Sequence, residues 1–129
     1  MNLVEILGIL FIHWIADFVL QTDKQAQGKS KNWGDLISHT KSYTMVWWAV
    51  GITLVVVNLY YPFFEYHKWS LTMFVLITFV CHTITDYFTS RLNSRLWAEG
   101  KVHNFFVSIG FDQWLHYAQL FITYWYLTR

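Results

Sequence analysis

Three pairs of imidazole and carboxylate recur at one spacing in this chain: His13 and Asp17 in H-W-I-A-D, His82 and Asp86 in H-T-I-T-D, and Asp112 and His116 in D-Q-W-L-H. On an α-helix, residues at i and i+4 sit on one face, one turn apart, so each pair projects both groups the same way. His39, in I-S-H-T-K, stands alone. Imidazole and carboxylate together suit zinc, iron or manganese. The single cysteine, Cys81, excludes a thiolate zinc knot and a disulfide framework. Four His and three Asp exceed the needs of one tetrahedral ion. They suit two divalent ions, or one ion with groups that orient its ligands, zinc being the first expectation. The plain alternative is that each Asp bonds the His of its own helix and holds a bundle together.

The stretches carrying these groups are otherwise apolar. Of 129 residues, 55% are hydrophobic, 21% aromatic and only 13% charged, against about 25% charged in an average soluble domain. A net charge of +1 gives no field for nucleic acid. The run 42–64 has no Asp, Glu, Lys, Arg or His and so no polar face for water. Spans of about 20 residues are expected near 2–21, 36–61, 69–90 and 102–128. The expected fold is therefore all-α. It is a polytopic membrane protein with one domain, 1–129, whose four transmembrane helices form an antiparallel bundle. The first span lacks the basic start and small-residue cleavage site of a signal peptide and reads as a retained helix. Asp35 is the expected N-cap of the second helix. Pro62 with residues 65–68 makes the second loop, His67 falling in it, and 91–101 a short interfacial helix ended by Gly100. Trp33, Trp69, Trp97 and Trp125 fall near span ends, as an interfacial aromatic belt does.

Lys and Arg set the orientation. Lys24, Lys29, Lys31, Lys41, Arg91, Arg95 and Lys101 fall on the side reached by the end of the first helix; Lys68 and Arg129 fall on the other. The positive-inside rule makes the first side cytoplasmic and puts both termini on the outer side of the membrane. With that topology Asp17, His39, Asp86 and Asp112 all come to the cytoplasmic half, with His116 deeper. Ionisable groups in a span face the interior and have a partner, and a shared metal would partner all of them. Only Glu5 is ionisable on the outer side of the first helix, and the second and third helices read as apolar there. That asymmetry favours a one-sided pocket over an ion conduit.

H-W-I-A-D-F-V-L-Q, the mid-chain I-S-H, C-H-T-I-T-D-Y and D-Q-W-L-H together resemble a family of small bacterial and phage membrane proteins described only as of unknown function. The resemblance spans nearly the whole chain. More distantly, the H-x-x-x-D pairs are similar to those of membrane-bound metal-dependent hydrolases. Their ligand style resembles that of the all-helical zinc phospholipase C and nuclease superfamily. These likenesses imply hydrolysis of a phosphoester or lipid-like substrate. Metal would be held by His13, Asp17, His82, Asp86, Asp112 and His116, with His39 as a further ligand or the catalytic acid/base. A metal of this kind makes water acidic enough to react near neutral pH. The expected partners are membrane lipid, an amphiphilic or phosphorylated substrate, and a second copy of the chain. Lys41, Arg91 and Arg95 stand near the mouth as phosphate attractors or, more simply, as lipid-headgroup anchors. Cys81 and the aromatics are read as packing, His103 as a residue at the mouth, and Gln21 and Gln113 as donors to the ligands. The competing readings are an ion, proton or metal transporter or sensor, and a metal-stabilised structural or host-interaction protein.

Overall fold

The computed structural model describes residues 1–62 and 69–128. The expected loop at 65–68, with His67 and Lys68, and the terminal Arg129 lie outside the described residues. Among the described residues the chain is all-helical: α1 (Leu3–Trp14), a π-helical turn (Ile15–Val19), α2 (Asp23–Gly28), α3 (Trp33–Tyr60), α4 (Ser70–Ala98) and α5 (Val102–Leu127).

Local chemistry sets the boundaries. The Asn2 side chain accepts from the Glu5 N–H at 2.9 Å while the Glu5 carboxylate accepts from the Asn2 N–H at 2.8 Å, a reciprocal cap that starts α1. Thr22 and Gln25 start α2 in the same way. The cap of α3 is Asn32, whose side chain accepts from the Asp35 N–H at 2.8 Å. Asp35 therefore lies inside the helix, not at its cap as the sequence suggested. Asn caps as well as Asp, and the Asp35 carboxylate accepts from Asn32 Nδ2 at 2.7 Å. The expected interfacial helix at 91–101 is instead the last part of α4, which runs unbroken to Ala98. The segment R-L-N-S-R-L-W-A contains no Gly or Pro to stop it. Gly100, at φ 67°, then reverses the chain. Its N–H donates to Trp97 O at 3.0 Å and the Lys101 N–H to Leu96 O at 2.9 Å, a Schellman ending that needs the left-handed residue.

Neighbouring helices run antiparallel. His39 meets His82 while Gly51, further along α3, meets Leu71 at the start of α4. Ser70 at the start of α4 donates to Leu127 O near the end of α5 at 3.2 Å, and His116 of α5 meets Asp86 of α4. Helices α3 and α4, of 28 and 29 residues, are long and apolar enough to cross a membrane.

The distribution of polarity is the reverse of a water-soluble bundle. Outward positions carry Leu7, Phe11 and Trp14 on α1, Ile52 and Val56 on α3, Val80, Ile84 and Phe88 on α4, and Phe111, Trp114 and Ile122 on α5. Buried positions carry His13, Asp17, His39, Thr40, His82, Asp86, Asp112 and His116. One apolar cluster, Ile9, Ala16, Tyr43, Trp47 and Leu120, packs alongside these polar groups.

Candidate metal centre

Each helix delivers its polar groups by its own periodicity. On α4, His82 and Asp86 lie one turn apart, and on α5 so do Asp112 and His116; all four are buried. On α3, His39 is followed one turn later by Tyr43. The first helix is different. It widens at Ile15–Val19, where the Leu20 N–H donates to Ile15 O at 2.9 Å, a bond across five residues. Such single π turns recur at functional sites because they re-aim a side chain without ending the helix. Here the wide turn buries Asp17 among groups from α3, α4 and α5, while His13 faces α3 and α5.

Asp17, His39, His82 and Asp86 form one buried group that could hold a metal ion. His39 Nε2 lies 3.0 Å from Asp17 Oδ1, 3.1 Å from Asp86 Oδ2 and 3.2 Å from His82 Nε2. His82 Nε2 lies 3.5 Å from Asp17 Oδ1 and 3.6 Å from Asp86 Oδ2. A tetrahedral ion about 2.0–2.1 Å from each donor would separate the donors by roughly 3.3–3.4 Å. These five separations bracket that value. Asp17 Oδ1 is buried and, among the described residues, has no hydrogen bond of good geometry although two imidazole nitrogens lie 3.0 and 3.5 Å away, as a carboxylate oxygen aimed at a shared cation would. The ring of His82 is held by Tyr43, stacked at 3.8 Å and 13°.

Asp86 also belongs to a second buried group with Asp112 and His116. Its other oxygen, Oδ1, lies 3.2 Å from His116 Nε2, which is 3.4 Å from Asp112 Oδ1. One carboxylate thus joins two candidate ion positions. The His116 ring stacks on His82 at 4.3 Å.

His13 is in neither group. Its Nδ1 is 2.8 Å from the Tyr43 hydroxyl and its Nε2 is 2.8 Å from Gln113 Oε1. Gln113 in turn donates to Asp17 Oδ2 at 3.3 Å and to Asp112 Oδ2 at 3.1 Å. His13 and Gln113 therefore brace the two carboxylates from behind. The structure brings together Asp17, His39, His82, Asp86, Asp112 and His116, and sets His13 one hydrogen bond further out.

A model of the family described as "Protein of unknown function (DUF3307)" matches residues 6–129. The chain belongs to this family. No curated protein and no solved structure matches the chain. The family description names no activity, so the chemistry of this DUF3307 member rests on its own side chains.

One of them is absent from the sequence reading of the site. Lys29, at the end of α2, places Nζ 2.9 Å from Asp86 Oδ2 and 3.4 Å from His39 Nε2. Burial disfavours its ammonium, but the Asp86 and Asp17 carboxylates outweigh that and hold its pKa above the ordinary lysine value. Helix α2 is docked for this by Gln25, whose amide donates to Ser38 Oγ at 3.1 Å and Ser42 Oγ at 3.2 Å. Gly28 lets α2 close on α3, since a Cβ there would overlap the Asp35 side chain. Nothing in the sequence marked Lys29 apart from the other basic residues of that loop. Tyr43 carried a signal, lying one turn from His39 and so on its face.

A cavity of about 510 Å³ opens beside the centre, bordered there by Asp17, Lys29, Asp112 and Gln113. Lys41, Arg91 and Arg95 do not border it; the Arg91 guanidinium lies over the Tyr87 ring at 3.8 Å. His103 is exposed. Further along the bundle, on the side where α3 and α4 read as apolar, Asn58 and Thr78 are buried polar residues. Gln119 Nε2 donates to Thr78 and Thr123 hydroxyls, each at 3.3 Å.

Proposed function

We propose that this chain is a metal-dependent hydrolase embedded in a bacterial cytoplasmic membrane as a four-helix transmembrane bundle with both termini outside. Its substrate is an amphiphile whose phosphoester reaches the centre from the cytoplasmic face. The observation that carries the proposal is the shared carboxylate: Asp86 joins two buried His/Asp groups, and the centre they form borders a cavity. A structural metal site would be closed on all sides.

Asp17, His39, His82 and Asp86 would hold a first ion, zinc by donor chemistry, and Asp86, Asp112 and His116 would hold a second. Of the two roles open to His39, its distances favour ligand over acid/base. A metal bound there would supply Lewis acidity for the phosphoryl group and for water. His13 and Gln113 fix the direction of the carboxylates, and Lys29 offers its ammonium to the phosphate. The water oxygen bonds phosphorus as the phosphorus–alcohol oxygen bond breaks. The proton given up by the water goes to the departing alcohol oxygen.

The test is purification in mild detergent, elemental analysis for ions per chain, and assay against amphiphilic phosphoesters with and without a chelator. One or two zinc ions per chain and chelator-sensitive cleavage of the phosphoester bond support the proposal; a metal-free protein with no turnover refutes it. A second reading, metal or proton passage, is favoured by the Thr78–Gln119–Thr123 file alone. Zinc uptake into proteoliposomes would establish it in place of hydrolysis.

A further inference from the structure

Outside the metal centre, three buried polar atoms of residues that border the cavity have no hydrogen-bond partner among the described residues: Gln21 Oε1, Ser90 Oγ and Asn93 Oδ1. Ser90 is only 8% exposed. The periodicity of α4 explains their alignment. From Asp86 the same face continues outward through Ser90 and Asn93, at steps of four and three residues, so a polar ladder leads from the metal centre toward the end of the bundle. The corresponding face of α5 leads from Asp112 through Ile109 to Phe105, with Phe106 and Phe18 also bordering the cavity. Outward of the metal centre, α4 lines the cleft with Ser90, Asn93 and Ser94 before Trp97, and α5 lines it with Ile109, Phe105 and Phe106.

A buried hydroxyl or amide left without a partner is costly. A purely apolar occupant would leave these three atoms unpaired, and a purely polar one would lie against phenylalanine rings.

We infer that the cavity is a headgroup site for an anionic phospholipid-like amphiphile whose headgroup carries hydroxyls. Gln21, Ser90 and Asn93 bind the hydroxyls, Lys29 meets the phosphate, and the chain leaves over Phe105 and Phe106. This deepens the hydrolase proposal and rests on it only for the direction in which the phosphate points.

The probes are dihexanoyl phosphatidylglycerol and dihexanoyl phosphatidylmethanol, which share charge and chains and differ in the hydroxyls. Free glycerol phosphate, which has the hydroxyls and no chains, is the third. Titration of the full-length protein in detergent, read by calorimetry, should show phosphatidylglycerol binding at least about tenfold tighter than phosphatidylmethanol. Ser90→Ala with Asn93→Leu should remove that preference and leave phosphatidylmethanol affinity unchanged. Gln21→Leu, away from α4, repeats the test if the double variant does not fold. Equal binding of the two lipids, or a preference that survives the substitutions, overturns the inference. Glycerol phosphate binding as tightly as the lipid overturns its apolar half. Metal content measured on the same samples separates the two proposals. A metal-free chain that keeps the preference defeats the hydrolase reading alone; a metal-loaded chain without the preference defeats this inference alone.

Discussion

Replacing Asp86 by Asn keeps the shape of the side chain and removes the one charge common to both candidate ion positions. The wild-type carboxylate faces Lys29 at 2.9 Å, His39 at 3.1 Å and His82 at 3.6 Å through Oδ2, and His116 at 3.2 Å through Oδ1. Loss of a group that merely orients a ligand costs about 10–100-fold in metal affinity, so loss of a shared ligand should exceed about 100-fold for each ion, or more than roughly 2.7 kcal/mol. Lys29 loses its nearest counter-charge as well. Breaking a buried ion pair costs about 3–5 kcal/mol, and the remaining amide oxygen puts Asp86→Asn near the lower end. Elemental analysis after dialysis against a zinc buffer gives ions per chain, and thermal unfolding in detergent gives stability. Asp86→Asn should lose both ions, Asp17→Asn only the first, and His116→Ala only the second. An Asp86→Asn protein with full metal content would refute the shared-ligand reasoning, and identical losses in all three variants would refute the division into two positions.

His39→Ala should abolish binding of the first ion, whereas His13→Ala should weaken it by no more than about 100-fold; zinc titration compares them. Tyr43→Phe leaves His13 Nδ1 without its partner and should cost about 1–3 kcal/mol in thermal unfolding with the number of bound ions unchanged. Chelation should lower the melting temperature of the wild type and leave that of Asp86→Asn nearly constant. With Cys81→Ser as background, impermeant maleimide should label Lys24→Cys only from the cytoplasmic side and Tyr61→Cys only from the other; labelling of both from one side would sink the topology.

The helical class and the gathering of acid and imidazole were legible because both follow from period and polarity. Histidine and aspartate at i and i+4 in apolar runs have one inward face to occupy. What escaped depended on tertiary reach or backbone irregularity. Lys29 looked like one lysine among several, and only the docking of α2 through Gln25 turns it toward Asp86. His13 and Asp17 looked equivalent to the other pairs, yet only Asp17, on the π turn, reaches His39 and His82, while His13 meets Tyr43 and Gln113. Asn32 took the cap expected of Asp35 because both residues can cap and only geometry chooses. The Ser90 and Asn93 ladder lay hidden because it crosses from the end of the expected third span into the segment read as a separate interfacial helix, and its meaning depends on α4 remaining continuous.

The wide turn at Ile15–Val19 also bears on how such centres are found in other chains. A π turn is, in effect, an inserted residue that the helix has already absorbed. Delete one residue from it and an ordinary helix results, with the downstream segment still in nearly its present orientation. A chain with His and Asp three apart on an unbulged first helix could therefore present the same two groups to the same neighbours as His13 and Asp17 do here. Pattern searches that demand a fixed gap of four would pass over it, and an alignment would show a lost residue beside a preserved centre.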